Sequence, residues 1–181
     1  MPASREVKYV AGRLQVPENF LKELNGFLQK QVEAFEPEIR QLARYAVENS
    51  GQRLRPILVY YSGAAGDGSY SDSQVLAAAV VELVHVATLV HDDILDGAEL
   101  RRRRPTVSHE HGPSIAVLLG DALFAHALRL ASDFPTTLVC REVAQATRAV
   151  CAGETRQMHL RGDLNLEIGE YLRIIELKTA E

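Results

Sequence analysis

The chain has 181 residues, of which 46% are hydrophobic, 24 acidic and 20 basic, for a formal charge of −4. That length suits one domain with a sizeable core, and the apolar share excludes a disordered polymer. Outside residues 101–104 the basic side chains gather into no broad face, which argues against nucleic acid as a partner.

Met1 to Arg13 carry charges and no apolar segment of signal-peptide length, so a cytoplasmic location is expected. Helical patterns recur along the chain, and runs of alternating β-branched and aromatic residues are absent, which predicts an all-α fold. Pro17 opens a helix over about residues 17–34, and Pro37 opens a second that runs to about Asn49. Ser50 and Gly51 break the chain. A third helix begins between Leu54 and Pro56 and stops within the glycine-rich residues 63–68.

Ser71 with Gln74 forms a capping box at the head of the apolar run 75–90. Glu82, His85 and Thr88 interrupt that run, which falls short of the ~20 apolar residues a membrane span needs. It reads as a buried helix capped by Gly97, and no transmembrane segment is expected. Gly112 and Pro113 start a helix that reaches about Ala131. Asp133 with Pro135 starts another, to about Leu160. After a break at residues 161–165, an amphipathic segment from Glu167 carries Tyr171, Ile174, Ile175 and Lys178. Cys140 and Cys151 lie too far apart on one helix for a disulfide and read as core thiols in a reducing compartment. His109 and His111 read as solvated residues of a polar loop, Arg161-Gly162-Asp163 as a turn, and Asp121 as a structural group within an apolar helix.

The chemistry concentrates where the 75–90 run ends. Asp92, Asp93 and Asp96 follow it, and on a helix residues three and four apart are neighbours, so the three carboxylates are expected to share a face with His85. Crowded carboxylates repel unless a cation sits among them, and hard oxygen ligands suit Mg²⁺, which is held by one or two carboxylates plus substrate phosphates. Anions are disfavoured at a helix C-terminus, so a merely solvated helix end explains them poorly. Guanidinium groups match phosphate oxygens in paired hydrogen bonds, and four arginines follow within a few residues. Together they point to a magnesium-bound diphosphate.

From about Glu48 onward the order of motifs resembles the trans-isoprenyl diphosphate synthase (polyprenyl synthetase) family, with residues 1–47 as leading helices. Gly51-Gln52-Arg53-Leu54-Arg55-Pro56 is similar to the family's Gly-Lys-Arg-x-Arg-Pro. Glu82-x-x-His85 followed by His91-Asp92-Asp93-Ile94-Leu95-Asp96 resembles its first aspartate-rich motif. Arg101-Arg102, Pro105-Thr106, Gly120-Asp121, Gly153-Glu154 with Gln157, and Lys178-Thr179 fit the segments after it.

The resemblance implies a bundle of antiparallel helices around a central cavity, of which residues 1–181 are the N-terminal part of one domain. It implies transfer of an allylic prenyl group to isopentenyl diphosphate, giving a longer trans-polyprenyl diphosphate. By the same resemblance Asp92 and Asp96, with Asp93 alongside, hold Mg²⁺ on the allylic diphosphate, and Arg101 and Lys178, followed by Thr179, steady it. Arg53, His85 and Arg102 hold isopentenyl diphosphate together with position 52, where Gln52 replaces the family's lysine. Arg103 replaces a common glycine. Ala87 and Thr88 are small where shorter-product relatives carry an aromatic ring, which implies room for a product longer than farnesyl. A homodimer is implied as well. Nothing like the family's second aspartate-rich motif precedes Glu181, so the chain alone is expected to be inactive or nearly so. Two other readings stand beside this one: a non-catalytic subunit of a heteromeric prenyl diphosphate synthase, and a helical metal-dependent phosphohydrolase built on His91-Asp92.

Overall fold

A computed structural model describes residues 18–63 and 69–180. The start of the first helix at Pro17, the glycines at 66 and 68 and the first thirteen residues lie outside them. Eight α-helices, a π-helical turn and one short β-hairpin form the described residues, in accord with the helical fold expected. The described residues gather into two compact units, which divide between Phe134 and Pro135.

In the first unit, α1 (Glu18–Glu33) buries Phe20, Leu24, Leu28 and Val32, one residue per turn, along a single stripe. The Phe20 ring meets Tyr60 and Tyr70 at centroid distances of 5.1 Å. Pro37 stands in the first turn of α2 (Pro37–Glu48), where its missing N–H costs nothing. Next come α3 (Leu54–Gly63) and α4 (Asp72–Leu95).

The Ser71–Gln74 box is reciprocal: Gln74 N–H donates to Ser71 Oγ at 3.3 Å, and Ser71 N–H donates to Gln74 Oε1 at 2.9 Å. At the other end Gly97 takes φ +61°, its N–H reaching Ile94 O at 3.2 Å while Ala98 N–H reaches Asp93 O at 2.9 Å. That pair of bonds is a Schellman motif, which glycine adopts without a Cβ penalty. The helix between them is longer than its apolar run, because the polar interruptions find partners. Glu82 pairs with Arg53, and Thr88 Oγ1 donates to His85 O at 2.8 Å.

α4 packs most extensively on α6 (Pro113–Ala131) and next on α3. Both α4 and α6 are long and apolar enough by composition to cross a membrane. Here they form the centre of the core, where Val80, Leu83, Val86, Leu119, Leu123 and Leu130 are at most 2% exposed. Burying each such side chain stabilises the unit by about 1.5–3 kcal/mol.

Between α4 and α6 the chain does what the sequence did not announce. Leu100–Arg101 and Arg104–Pro105 pair as an antiparallel hairpin, β1 and β2, with Leu100 opposite Pro105 and Arg101 opposite Arg104. Then α5 (Val107–His111) takes up His109 and His111, which the sequence placed in a loop; Thr106 Oγ1 caps it by accepting from His109 N–H at 3.1 Å.

In the second unit α7 (Leu138–His159) starts beyond Pro135, which opens no helix: residues 132–137 run through turns and bends. α8 (Ile168–Ile175) follows, and a π-helical turn (Glu176–Ala180) ends it. Within α7 only Gly153 is buried, so Cys140 is half-buried and Cys151 exposed, and neither is the core thiol expected.

Candidate functional site

Two polar clusters lie along α4. The first is at its C-terminus. Asp92 is half-buried and Asp96, one turn on, is exposed, while Asp93 is turned into the protein at 6% exposure. The three carboxylates therefore do not form one cluster, as the sequence suggested. Asp93 is drawn inward by Arg101, whose Nε and Nη2 both lie 2.8 Å from its Oδ1. A guanidinium so held offsets the cost of burying a carboxylate. Among the described residues no group of three histidine, cysteine, aspartate or glutamate side chains is placed to hold a metal. Asp92 and Asp96 remain as a pair of hard oxygen donors one helical turn apart. Such a pair suits Mg²⁺, which takes one or two carboxylates and fills its octahedron with phosphate oxygens and water.

The hairpin that carries Arg101 is fixed from several sides. Tyr45 Oη donates to Pro105 O at 2.6 Å, Arg104 Nη1 to Asn49 Oδ1 at 2.8 Å, and Thr106 Oγ1 to Ala98 O at 2.7 Å. Its two turn residues, Arg102 and Arg103, have φ of 53° and 67°. A two-residue hairpin turn whose twist matches its strands needs positive φ at both centres. Asn or Gly usually supplies it, and here two arginines are forced into it.

The second cluster is a pocket of ≈ 180 Å³ beside the middle of α4, lined by Gln52, Arg53, Arg55, Glu82, His85 and Arg102 among others. Gly51, at φ +106°, has no Cβ to obstruct the Arg102 guanidinium that lies against it. Arg55 Nη1 donates to His85 Nε2 at 3.0 Å. Burial, and then the Arg55 charge, hold the His85 imidazole down at about 4, with Arg101 and Arg102 adding to the effect and Glu82 opposing it. The ring is neutral at pH 7 and accepts from Arg55.

Arg53 behaves differently from its neighbours. Its guanidinium donates to Glu82 Oε1 at 2.6 Å, to Val47 O at 3.1 Å, to Asn25 Oδ1 at 3.3 Å and to Ser50 Oγ. Arg55, which the motif contains but the sequence reading passed over, is the exposed arginine in contact with His85. A second missed contact joins α4 to α6: His91 Nε2 lies 3.4 Å from Asp121 Oδ1, and the 68% exposed Asp121 is not the buried structural group expected. Spacing alone held no signal for either.

Ala87 is 1% exposed within the core, whereas Thr88 is half-buried, so any open space at this level of α4 adjoins Thr88. Lys178 and Thr179 belong to the second unit. There Lys178 Nζ donates to Gln157 Oε1 at 2.9 Å and pairs with Glu154. Gly153 allows the approach, since a Cβ on it would stand 2.8 Å from that of Leu177. Four motif residues of the second unit thus meet around one ammonium group.

The helical scaffold thus bears an acidic helix end and, separately, an arginine-lined pocket. Residues 36–181 match the polyprenyl synthetase family model, and the chain belongs to that family. It is 31% identical over 166 residues to an octaprenyl diphosphate synthase of Haemophilus influenzae, covering 92% of this chain and 48% of that one. A heptaprenyl diphosphate synthase structure from Staphylococcus aureus superposes with a TM-score of 0.83 at 30% identity, covering 90% of this chain and 51% of the other. A polyprenyl synthase of Caulobacter crescentus, complexed with calcium and isoprenyl diphosphate, gives 0.81 at 32% identity, over 95% and 50%. The chain therefore spans about half the length of the relatives it matches.

Proposed function

We propose that this chain is part of a prenyltransferase that joins isopentenyl diphosphate to an allylic prenyl diphosphate, lengthening it by head-to-tail alkylation. The observation that carries the reading is that α4 bears both an acidic end, Asp92 with Asp96, and His85, which meets Arg55 from α3 and Arg102 from the hairpin turn in a basic pocket. An enzyme that must tell two diphosphates apart needs two such unlike sites.

Asp92 and Asp96 would hold Mg²⁺, which when bound neutralises the negative charge that grows on pyrophosphate as the allylic C–O bond breaks. The chain's own part is to bind and orient. Arg55 and Arg102 supply guanidinium donors to the diphosphate of isopentenyl diphosphate, and Gln52 supplies an uncharged amide where lysine is usual. Arg101, anchored by Asp93, is the cation assigned to the allylic diphosphate. No side-chain nucleophile is required: the alkene of isopentenyl diphosphate attacks the allylic carbon, and loss of a proton from the resulting cation restores a double bond. Water would capture either cation, so the site must be walled by apolar side chains.

The small Ala87 and Thr88 and the octaprenyl and heptaprenyl relatives support a product longer than farnesyl. A homodimer is the assembly that the family resemblance implies. Titration calorimetry tests the core of the reading. Isopentenyl diphosphate should bind without metal and farnesyl diphosphate only with Mg²⁺; hydrolysis of either with no transfer would overturn it, and products of only ten or fifteen carbons would overturn the chain-length assignment.

A further inference from the structure

We infer that Arg53 and Glu82 are positioning residues for the basic pocket, and that the pair sets its diphosphate affinity without touching the ligand. The inference rests on the reading of that pocket as the isopentenyl diphosphate site.

The argument begins with burial. Glu82 is 2% exposed, among the largest fully buried side chains of the molecule, and the side chain of Arg53 is 13% exposed. A carboxylate in that position is tolerated only when paired and hydrogen-bonded, and Arg53 Nη1 stands 2.6 Å from its Oε1. The remaining donors of the same guanidinium are directed at Val47 O near the end of α2, Ser50 Oγ in the loop and Asn25 Oδ1 on α1. One planar fork therefore ties three helices and a loop together, which a flexible ammonium cannot do. Four of its five N–H donors are so engaged, so Arg53, although it lines the pocket, has at most one left for an anion there.

What the pair fixes is the placement of its neighbours. Arg53 itself sits at φ +54°, a conformation an arginine holds only when its surroundings impose it. Its carbonyl accepts the N–H of Ile57 at 3.0 Å and so starts α3. Gln52 precedes it and Arg55 follows in the first turn of α3. Across the pocket, His85 stands three residues beyond Glu82 on the same face of α4. The Arg53–Glu82 pair is thus the joint that sets Arg55 against His85, and with them the geometry of the anion site.

Electrostatics and positioning predict opposite signs for one substitution. Glu82→Gln removes a negative charge from the lining of an anion pocket, and by charge alone it would tighten diphosphate binding. If the pair positions the pocket, the same change weakens binding of isopentenyl diphosphate and of inorganic pyrophosphate, measured without metal, by about tenfold, the loss of one charge-assisted hydrogen bond. Magnesium-dependent binding of farnesyl diphosphate at the other end of α4 should stay within about twofold, which separates positioning from general loss of structure. Arg53→Lys is the second variant: it keeps the charge but loses the fork, and it should weaken metal-free binding by a similar factor. Equal or tighter metal-free binding by the Glu82→Gln chain overturns the positioning role alone. Absence of metal-free binding by the unsubstituted chain overturns it together with the assignment of the pocket.

Discussion

The two polar stretches of α4 solve the same problem in opposite ways. At the C-terminus the helix offers carboxylates, Asp92 and Asp96, where the helix dipole is already negative; such a site repels diphosphate until a cation arrives. Two turns earlier it offers a neutral imidazole beside guanidinium groups, and the one acid there, Glu82, is occupied by Arg53. Their difference is what the proposed function draws on: one helix would carry a metal-dependent and a metal-independent site because acids face out at the first and are neutralised at the second.

The strongest way to break that comparison is to remove the acids of the first site. Asp92→Asn with Asp96→Asn should lower magnesium-dependent binding of farnesyl diphosphate by about 100-fold, the upper range for disturbing a metal site, and EDTA should do the same to the unsubstituted chain. Metal-free binding of isopentenyl diphosphate should not change by more than about twofold. Equal losses at both sites in calorimetry would show that the two are one.

Asp93 is turned inward against Arg101. Asp93→Asn leaves Arg101 with a neutral partner in a part-buried place, and breaking such a pair costs about 3 kcal/mol. In a chain of this size that lowers the melting midpoint by roughly 6–12 °C. A midpoint within a degree or two of the parent would mean that the pair contributes geometry and little stability.

The elements that were legible in the sequence are those that close on themselves. Pro37 and Pro113 preset the first turn of their helices, and the Ser71–Gln74 box and Gly97 act through hydrogen bonds a few residues away; each marks a boundary found in the structure. What stayed hidden depends on distant partners. Arg53 and Arg55 are equivalent in a motif; only the position of Glu82 and the positive φ of Arg53 send one inward and leave the other at the pocket. Spacing groups Asp93 with Asp92 and Asp96, since it does not reveal that Arg101 pulls Asp93 inside. The hairpin was invisible because its turn lacks the glycine or asparagine by which such turns are recognised. Pro135 has the look of a helix opener, yet the chain turns through residues 132–137 before α7 begins.

A pH titration sharpens the neutral side of the comparison. His85 titrates at about 4 in the folded chain and near 6.5 when unfolded. As pH falls through that interval the unfolded chain takes up the proton first, so stability is intact above about 6.5 and declines towards 4, with no further loss from this group below that. The melting midpoint should fall between pH 7.5 and 4.5 by less in a His85→Gln variant than in the parent. Parallel curves would place the imidazole in a more polar surrounding than its burial and its arginine neighbours indicate.

The smallest effect expected comes from the hairpin turn. Arg102 and Arg103 both occupy the left-handed region, which costs an L-residue roughly 1–2 kcal/mol each. The two are not equivalent. Arg102 lies over Gly51 and lines the basic pocket, so its strain is the condition for placing a cation there. Arg103 is exposed and lines none of the pocket, so it bears the strain without a matching contact at the site. Arg103→Gly should therefore relieve the strain at that position. Glycine's greater freedom in the unfolded chain returns part of the gain, leaving a net stabilisation of about 0.5–1 kcal/mol with metal-free diphosphate binding unchanged. Arg102→Gly should also relax the turn, but it should weaken that binding by about tenfold, the value of one charge-assisted hydrogen bond. Thermal melts read the first effect and calorimetry the second. If Arg103→Gly also weakened binding, the strained turn would be acting as a unit in holding the anion, and the division of labour between its two arginines would have to be abandoned.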